Sequence, residues 1–190
     1  ETFRDIFMNG RVEDWGKVTG QPPGPAINVY TRSDACGAAG TWAEYLGGVQ
    51  ENLKGIGIFG DPGLADAVKK DPFGIGYNNT IYIYNQRTKL KYDGLEVIPL
   101  DINENGMVDP EENIYDDLDQ VIDAIENGQY PSPPARELYF VAGGKPNSEP
   151  VITFLQWVLQ EGQKYVLEAG YVPLKSQRIK AELLKLSGKP

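Results

Sequence analysis

The 190-residue chain contains no histidine and only one cysteine, Cys36. Without histidine the commonest zinc ligand is missing, and so is the usual base of a catalytic cysteine; one cysteine alone excludes a disulfide framework. No apolar run approaches the ~20 residues needed to cross a bilayer. Positive charge is scarce as well, since 18 basic side chains face 27 acidic ones and leave a net charge of −9. Nucleic acid and anionic membranes are bound through basic surface, so neither is an expected partner. Apolar residues are not scarce: at 41% they suffice to bury one substantial domain, or two lobes sharing a core.

Glycine and proline punctuate the chain into alternating pieces. Phe3, Ile6 and Phe7 share one face of a short helix over 2–9, stopped by Gly10. The stiff link 21–25 delivers the chain into a strand carrying Ile27, Val29 and Tyr30. Asp61, as an N-cap with Pro62 behind it, opens a helix with Leu64, Ala65, Ala67 and Val68 inside. Further strands are expected at 80–84, 95–100 and 137–143, and helices at 113–127, 148–170 and 176–186. Such alternation without repeats predicts an α/β fold, with a mixed, mainly parallel sheet flanked by helices.

Two stretches carry chemistry. The first is 32–46, where a strand passes through a loop of small residues into a helix bearing Trp42, Tyr45 and Leu46. Unpaired backbone N–H groups at such a helix start attract anions, and Gly37, Ala38 and Ala39 allow close approach. With Arg32 at its mouth the loop reads as an anion cradle. A plain packing loop with a solvated Arg32 is the competing reading. Asp34 is expected to hold the Arg32 guanidinium in a charge-assisted pair rather than touch an anion. Cys36 at a helix start could be a reactive thiol, but with no histidine to serve as base the chain is not read as an enzyme.

The second stretch is 101–112. Asp101, Asn103, Asn105, Gly106, Asp109 and Glu112 match the calcium-loop pattern D-x-[DN]-x-[DN]-G-x5-E in full. In such a loop Asp101, Asn103 and Asn105 give side-chain oxygens, Met107 its carbonyl, Asp109 a water-bridged contact and Glu112 two oxygens. A structural Ca2+ is the expected cofactor, bound at the weak grade of ~10⁻⁴ to 10⁻³ M. The competing reading is a turn in which Asp109 caps the next helix, Pro110 takes its first position and Glu112 closes a capping box.

In order along the chain, IFMNGRVEDW, VYTRSDACGAAGTWAEYL, GIGYNN and TFLQWVLQEGQKYVLEAGYVPL resemble the phosphate-binding proteins of bacterial and archaeal ABC importers. These are a branch of the type II periplasmic binding proteins. The family pattern at the cradle is close to Arg-Ser-Asp-Gly-Ser-Gly-Thr-Thr. Arg32, Ser33, Asp34 and Gly37 match it, while Cys36 stands at the ligand serine, and Ala38 and Ala39 stand at the threonines. The resemblance therefore implies an anion site at Arg32, Ser33, Asp34, Cys36, Gly37 and Ala38 that has lost side-chain hydroxyls but kept its backbone N–H groups.

The resemblance also implies a solute-binding component of an ABC importer, delivering phosphate or a related oxyanion to a permease at a periplasmic or cell-surface location. Residues 1–147 would form the ligand-binding lobe with the calcium loop on its edge. Residues 148–190 would return to a second lobe built from an N-terminal part that this chain lacks, or meet another chain. A calcium-stabilised interaction domain of the same fold, without a small-anion ligand, is the alternative.

Overall fold

β-branched and aromatic residues make Asn28–Arg32 a strand, β1, and it is the middle of a three-stranded parallel sheet of order β2-β1-β3. The computed structural model describes residues 1–187, which form two compact units, the first ending at Arg136 and the second starting at Glu137. In the first unit a helix α1 (Thr2–Arg4) runs into a π-helical turn, Asp5–Asn9, and Gly10 closes it at φ 65°. α2 (Trp15–Thr19) follows, capped by the Asp14 carboxylate. After β1 come α3 (Gly37–Tyr45), β2 (Ile56–Ile58), α4 (Asp61–Lys70), β3 (Gly74–Ile75) and α5 (Leu118–Asn127).

β1 pairs with β2 from Tyr30↔Ile56 to Arg32↔Ile58, and with β3 at Asn28↔Gly74 and Val29↔Ile75. Both pairings are parallel, and the successive strands are joined through helices, α3 between β1 and β2 and α4 between β2 and β3, the connection that parallel strands require. The core lies where α3 meets the first turn: Phe7 and Ala39 are fully buried, and Trp42, Leu46 and Ile75 nearly so. Phe7 lies edge-on to Trp42, centroids 5.5 Å apart, and Tyr77 stacks near the Trp42 face at 6.1 Å. This aromatic cluster anchors the base of α3, so the start of that helix is held on a rigid element.

Several expectations are corrected. Residues 80–84 form a 3-10 turn, Thr80–Tyr82, rather than a strand. Tyr84 is buried and donates to the Tyr115 carbonyl at 2.9 Å. Alternating Ile and Tyr suit a pleated strand, but here packing of a single tyrosine decides the path. The run 95–100 carries no strand pairing, and only Leu100 at its end is buried. The helix expected from 113 starts at Leu118, because the Asp117 carboxylate caps it by accepting the Gln120 N–H at 2.9 Å.

The second unit holds α6 (Glu149–Leu159), a 3-10 turn at Glu161–Tyr165 and α7 (Ser176–Ser187). Residues 137–143 are exposed and carry no strand pairing, against the strand expected there. α6 ends before Gly162, where a Cβ would sit 3.2 Å from the Trp157 carbonyl. Phe140 and Phe154 meet edge to face at 5.9 Å, yet Phe154 is 51% and Trp157 47% exposed.

Candidate functional site

Arg32 ends β1, and its side chain is only 7% exposed. Asp34 grips it in a two-pronged fork, with Nε donating to Oδ1 at 2.9 Å and Nη2 to Oδ2 at 2.5 Å. Nη1 donates to the Asp61 carboxylate. Gly60, at φ 74°, is the N-cap of α4, so Asp61 is the first helical residue and not the cap expected of it. Asn79 Nδ2 donates to Asp61 Oδ2 at 2.9 Å, and Asn78 Nδ2 to the Asp61 carbonyl at 2.8 Å. Asn79 of GIGYNN thus holds the carboxylate that holds Arg32, and Asn78 holds the backbone that carries it.

The electrostatics follow from these bonds. The Asp34 carboxylate raises the Arg32 pKa above its ordinary value, so the guanidinium is charged at any working pH. In return Arg32, helped by the Gly60 N–H, lowers Asp34 to about 2. Three of the five guanidinium N–H groups are committed, and the other two have no partner among the described residues.

The loop between strand and helix is closed by Gln50. Its amide donates to the Asp34 carbonyl at 2.8 Å and accepts the Cys36 N–H at 3.2 Å, joining the two ends of the loop. Cys36 is the N-cap of α3, with its Sγ accepting the Ala39 N–H at 3.4 Å, a weak substitute for a hydroxyl cap. The Thr41 hydroxyl is turned back onto the Gly37 carbonyl at 2.8 Å. The N–H groups of Gly37 and Ala38, in the first turn, have no acceptor within the helix. Ser33 is exposed, and its N–H donates to the Ile58 carbonyl. Tyr77 pins the strand end from behind: its hydroxyl meets Thr31 Oγ1 at 2.8 Å and accepts the Arg32 N–H at 3.2 Å. Burial raises the Tyr77 pKa, so the phenol stays neutral and able to donate.

Loop 101–112 is built on hydrogen bonds of its own. Asp101 accepts the N–H groups of Asn105 at 3.1 Å and Gly106 at 2.8 Å. The amides of Asn103 and Asn105 both donate to Asp109 Oδ2, at 2.7 and 2.8 Å. Met107 donates its N–H to Asn105 Oδ1 at 2.8 Å. Glu112 is 4% exposed; its Oε1 accepts from Ile102 at 2.7 Å and Asn103 at 3.3 Å, and its Oε2 from Asp109 at 3.2 Å. Buried carboxylates need such partners. Among the described residues no group of three or more His, Cys, Asp or Glu is arranged around one metal position.

Gln50, Asp61 as an ion-pair partner, the contact of Asn78 and Asn79 with Asp61, and Arg136 went unnoticed in the sequence. Their only signal is spatial. Arg136 lies against the cradle, since a Cβ on Gly37 would come within 2.7 Å of its Nη1 and 2.9 Å of its Nη2.

Comparison with known proteins bears on this geometry. Over 220 aligned residues, 92% of the chain is 28% identical to the phosphate-binding protein PstS of Methanocaldococcus jannaschii, and it spans 56% of that protein's length. A solved structure from Clostridium perfringens, assigned as a phosphate ABC transporter substrate-binding protein and containing phosphate, superposes with a TM-score of 0.59 at 19% identity. That match covers 92% of the chain and 61% of the other. A protein from Planctomyces limnophilus, proposed to bind phosphate, superposes with a TM-score of 0.60 at 19% identity, covering 98% and 62%. At such identities the two structures speak for the fold alone. Residues 1–161 match the family model of the PBP superfamily domain, so the chain belongs to the PBP superfamily.

Proposed function

We propose that the chain is the solute-binding component of an ABC importer and that it binds phosphate or a related oxyanion at the loop from Arg32 to Ala39. The observation that carries this reading is one juxtaposition. A nearly buried guanidinium, fixed by Asp34 and Asp61, ends the strand that leads into the N–H groups of Gly37 and Ala38, which have no acceptor among the described residues. Family membership and the phosphate-binding relative support it. Arg32 provides two directed donors and charge, Gly37 and Ala38 provide backbone donors, and Asp34 positions Arg32 without touching the ligand. Cys36 replaces a hydroxyl donor with a weaker thiol. The reading is of binding and release, not of catalysis, at a periplasmic or cell-surface location with a permease as partner. Equilibrium dialysis against inorganic phosphate tests it: one saturable site is expected, lost in Arg32→Ala. No binding by the wild-type chain would overturn it.

The second lobe of the clamp belongs to the same proposal. The chain spans little more than half of the PstS relative, and the exposed faces of Phe154 and Trp157 in the second unit suit cover by such a lobe or by another chain.

A second reading adds a structural Ca2+ at 101–112. Its support is the convergence of Asp101, Asn103, Asn105 and Asp109 within one short loop, joined by direct hydrogen bonds. Rotation of the two amides would turn their oxygens toward a cation in place of their NH2 groups. Glu112 and the Met107 carbonyl complete the donor set, which suits a hard cation. Ca2+ at millimolar concentration should raise the melting temperature of the wild-type chain and not of Asp101→Ala; an unchanged wild-type melt would refute it. A calcium-stabilised interaction domain with no anion ligand is the outcome if Ca2+ binds and phosphate does not.

A further inference from the structure

Charge balance at the cradle leads beyond Arg32. Arg32 is matched by two carboxylates, Asp34 and Asp61, so the three groups together carry one negative charge. An oxyanion brought to Arg32 alone would meet a net negative cluster inside a chain that is itself at −9. Two backbone N–H dipoles offset only part of that. Another cation close to Gly37 would reverse the local sign.

Arg136 has the required placement. Its guanidinium packs on the open face of Gly37, where a Cβ would approach Nη1, Cζ and Nη2 at 2.7, 2.8 and 2.9 Å. Gly37 has an ordinary backbone φ, so the missing side chain is needed here for room and not for a turn. Arg136 is exposed and, among the described residues, has neither an ion pair nor a hydrogen bond, although 27 acidic side chains compete for 18 basic ones. Its five N–H donors are therefore uncommitted, whereas Arg32 retains two.

We infer that Arg136 is the second cationic ligand of the cradle, closing over an oxyanion held at Gly37 and Ala38 and making the site's charge favourable to it. The inference rests on the oxyanion reading above and deepens it. Division of labour follows: Arg32, locked between carboxylates, sets direction, while Arg136, free of partners, supplies net charge and can swing aside for release. A planar fork also grips two oxygens of a tetrahedral anion at once, which a lysine does not.

Calorimetric titration of the full chain with inorganic phosphate at fixed ionic strength tests this with four variants. Arg136→Gln should weaken binding about ten- to hundredfold, as for loss of a charge-assisted hydrogen bond. Arg136→Lys should fall between that and wild type. Arg87→Gln removes the same charge from an exposed position elsewhere and should change affinity less than about twofold under screening at physiological salt. Arg32→Ala should abolish binding. If Arg136→Gln binds like wild type while Arg32→Ala does not bind, the role of Arg136 is refuted and the oxyanion reading stands. Equal losses in Arg87→Gln and Arg136→Gln also refute it, since only long-range charge is then at work. Absence of wild-type binding overturns both. Far-UV circular dichroism of Arg136→Gln, at an exposed site, checks that its fold is kept.

Discussion

The two units of the chain differ in what they bury. Every buried apolar side chain among the described residues lies between Ile6 and Ala124, in the first unit. The second unit has none, and its large side chains Leu138, Tyr139, Phe140, Val151, Phe154 and Trp157 are all exposed. An apolar core is the main favourable term in folding, so the first unit has its own source of stability and the second lacks one of comparable size. The candidate anion site sits on the unit with the core. Its proposed ligands hang from β1 and α3, with Asp61 of α4 holding Arg32, and α3 is tied down by the Phe7–Trp42–Tyr77 cluster, as a binding geometry needs. The second unit's exposed face fits the proposed reading, in which another lobe covers it.

That contrast can be broken most forcefully in the core. Phe7→Ala removes a fully buried ring in contact with Phe3, Trp42 and Tyr77, and should cost about 3–5 kcal/mol in urea unfolding. A loss below about 1 kcal/mol would deny the first unit its core.

Acid provides a smaller lever on the same unit. Arg32 holds Asp34 at about 2, below the ordinary ~3.9 of an aspartate. Because the folded value is depressed, the stabilisation is present above the ordinary pKa and is lost as pH falls through about 2. Wild type should therefore weaken more steeply than Asp34→Asn between about pH 4 and pH 2, as read from urea midpoints. Parallel pH profiles would contradict the ion pair's role.

The smallest effect is expected in the second unit. Phe154→Ala, at a half-exposed ring, should shift stability by less than about 1 kcal/mol and leave phosphate affinity unchanged. A loss as large as that of Phe7→Ala would erase the distinction between the units.

Local signals carried far along the chain, and then stopped for identifiable reasons. The helix at 37–45, the strand at 28–32 and the stop at Gly10 were legible because spacing, caps and left-handed glycines act within a few residues. The runs 80–84, 95–100 and 137–143 read as strands in the sequence and are not, since strand pairing depends on a neighbour that the run itself does not specify. The cradle followed the same division. Arg32 and Asp34 are two apart and could be paired by eye, and Cys36 as helix cap is equally local. Asp61 looked like a helix cap because Pro62 follows it, yet Gly60 takes that place and frees the carboxylate for Arg32. Gln50 and Arg136 reach the loop from 14 and about 100 positions away, and no motif announces them.

The central claim is that an oxyanion sits where β1 ends and α3 begins. Titration of inorganic phosphate into the 15N-labelled chain, followed through backbone amide resonances, tests it most directly. Saturable downfield shifts of the Gly37 and Ala38 amides, absent in Arg32→Ala, are the predicted result. Unmoved Gly37 and Ala38 resonances at saturating phosphate, or shifts that persist in Arg32→Ala, would contradict it.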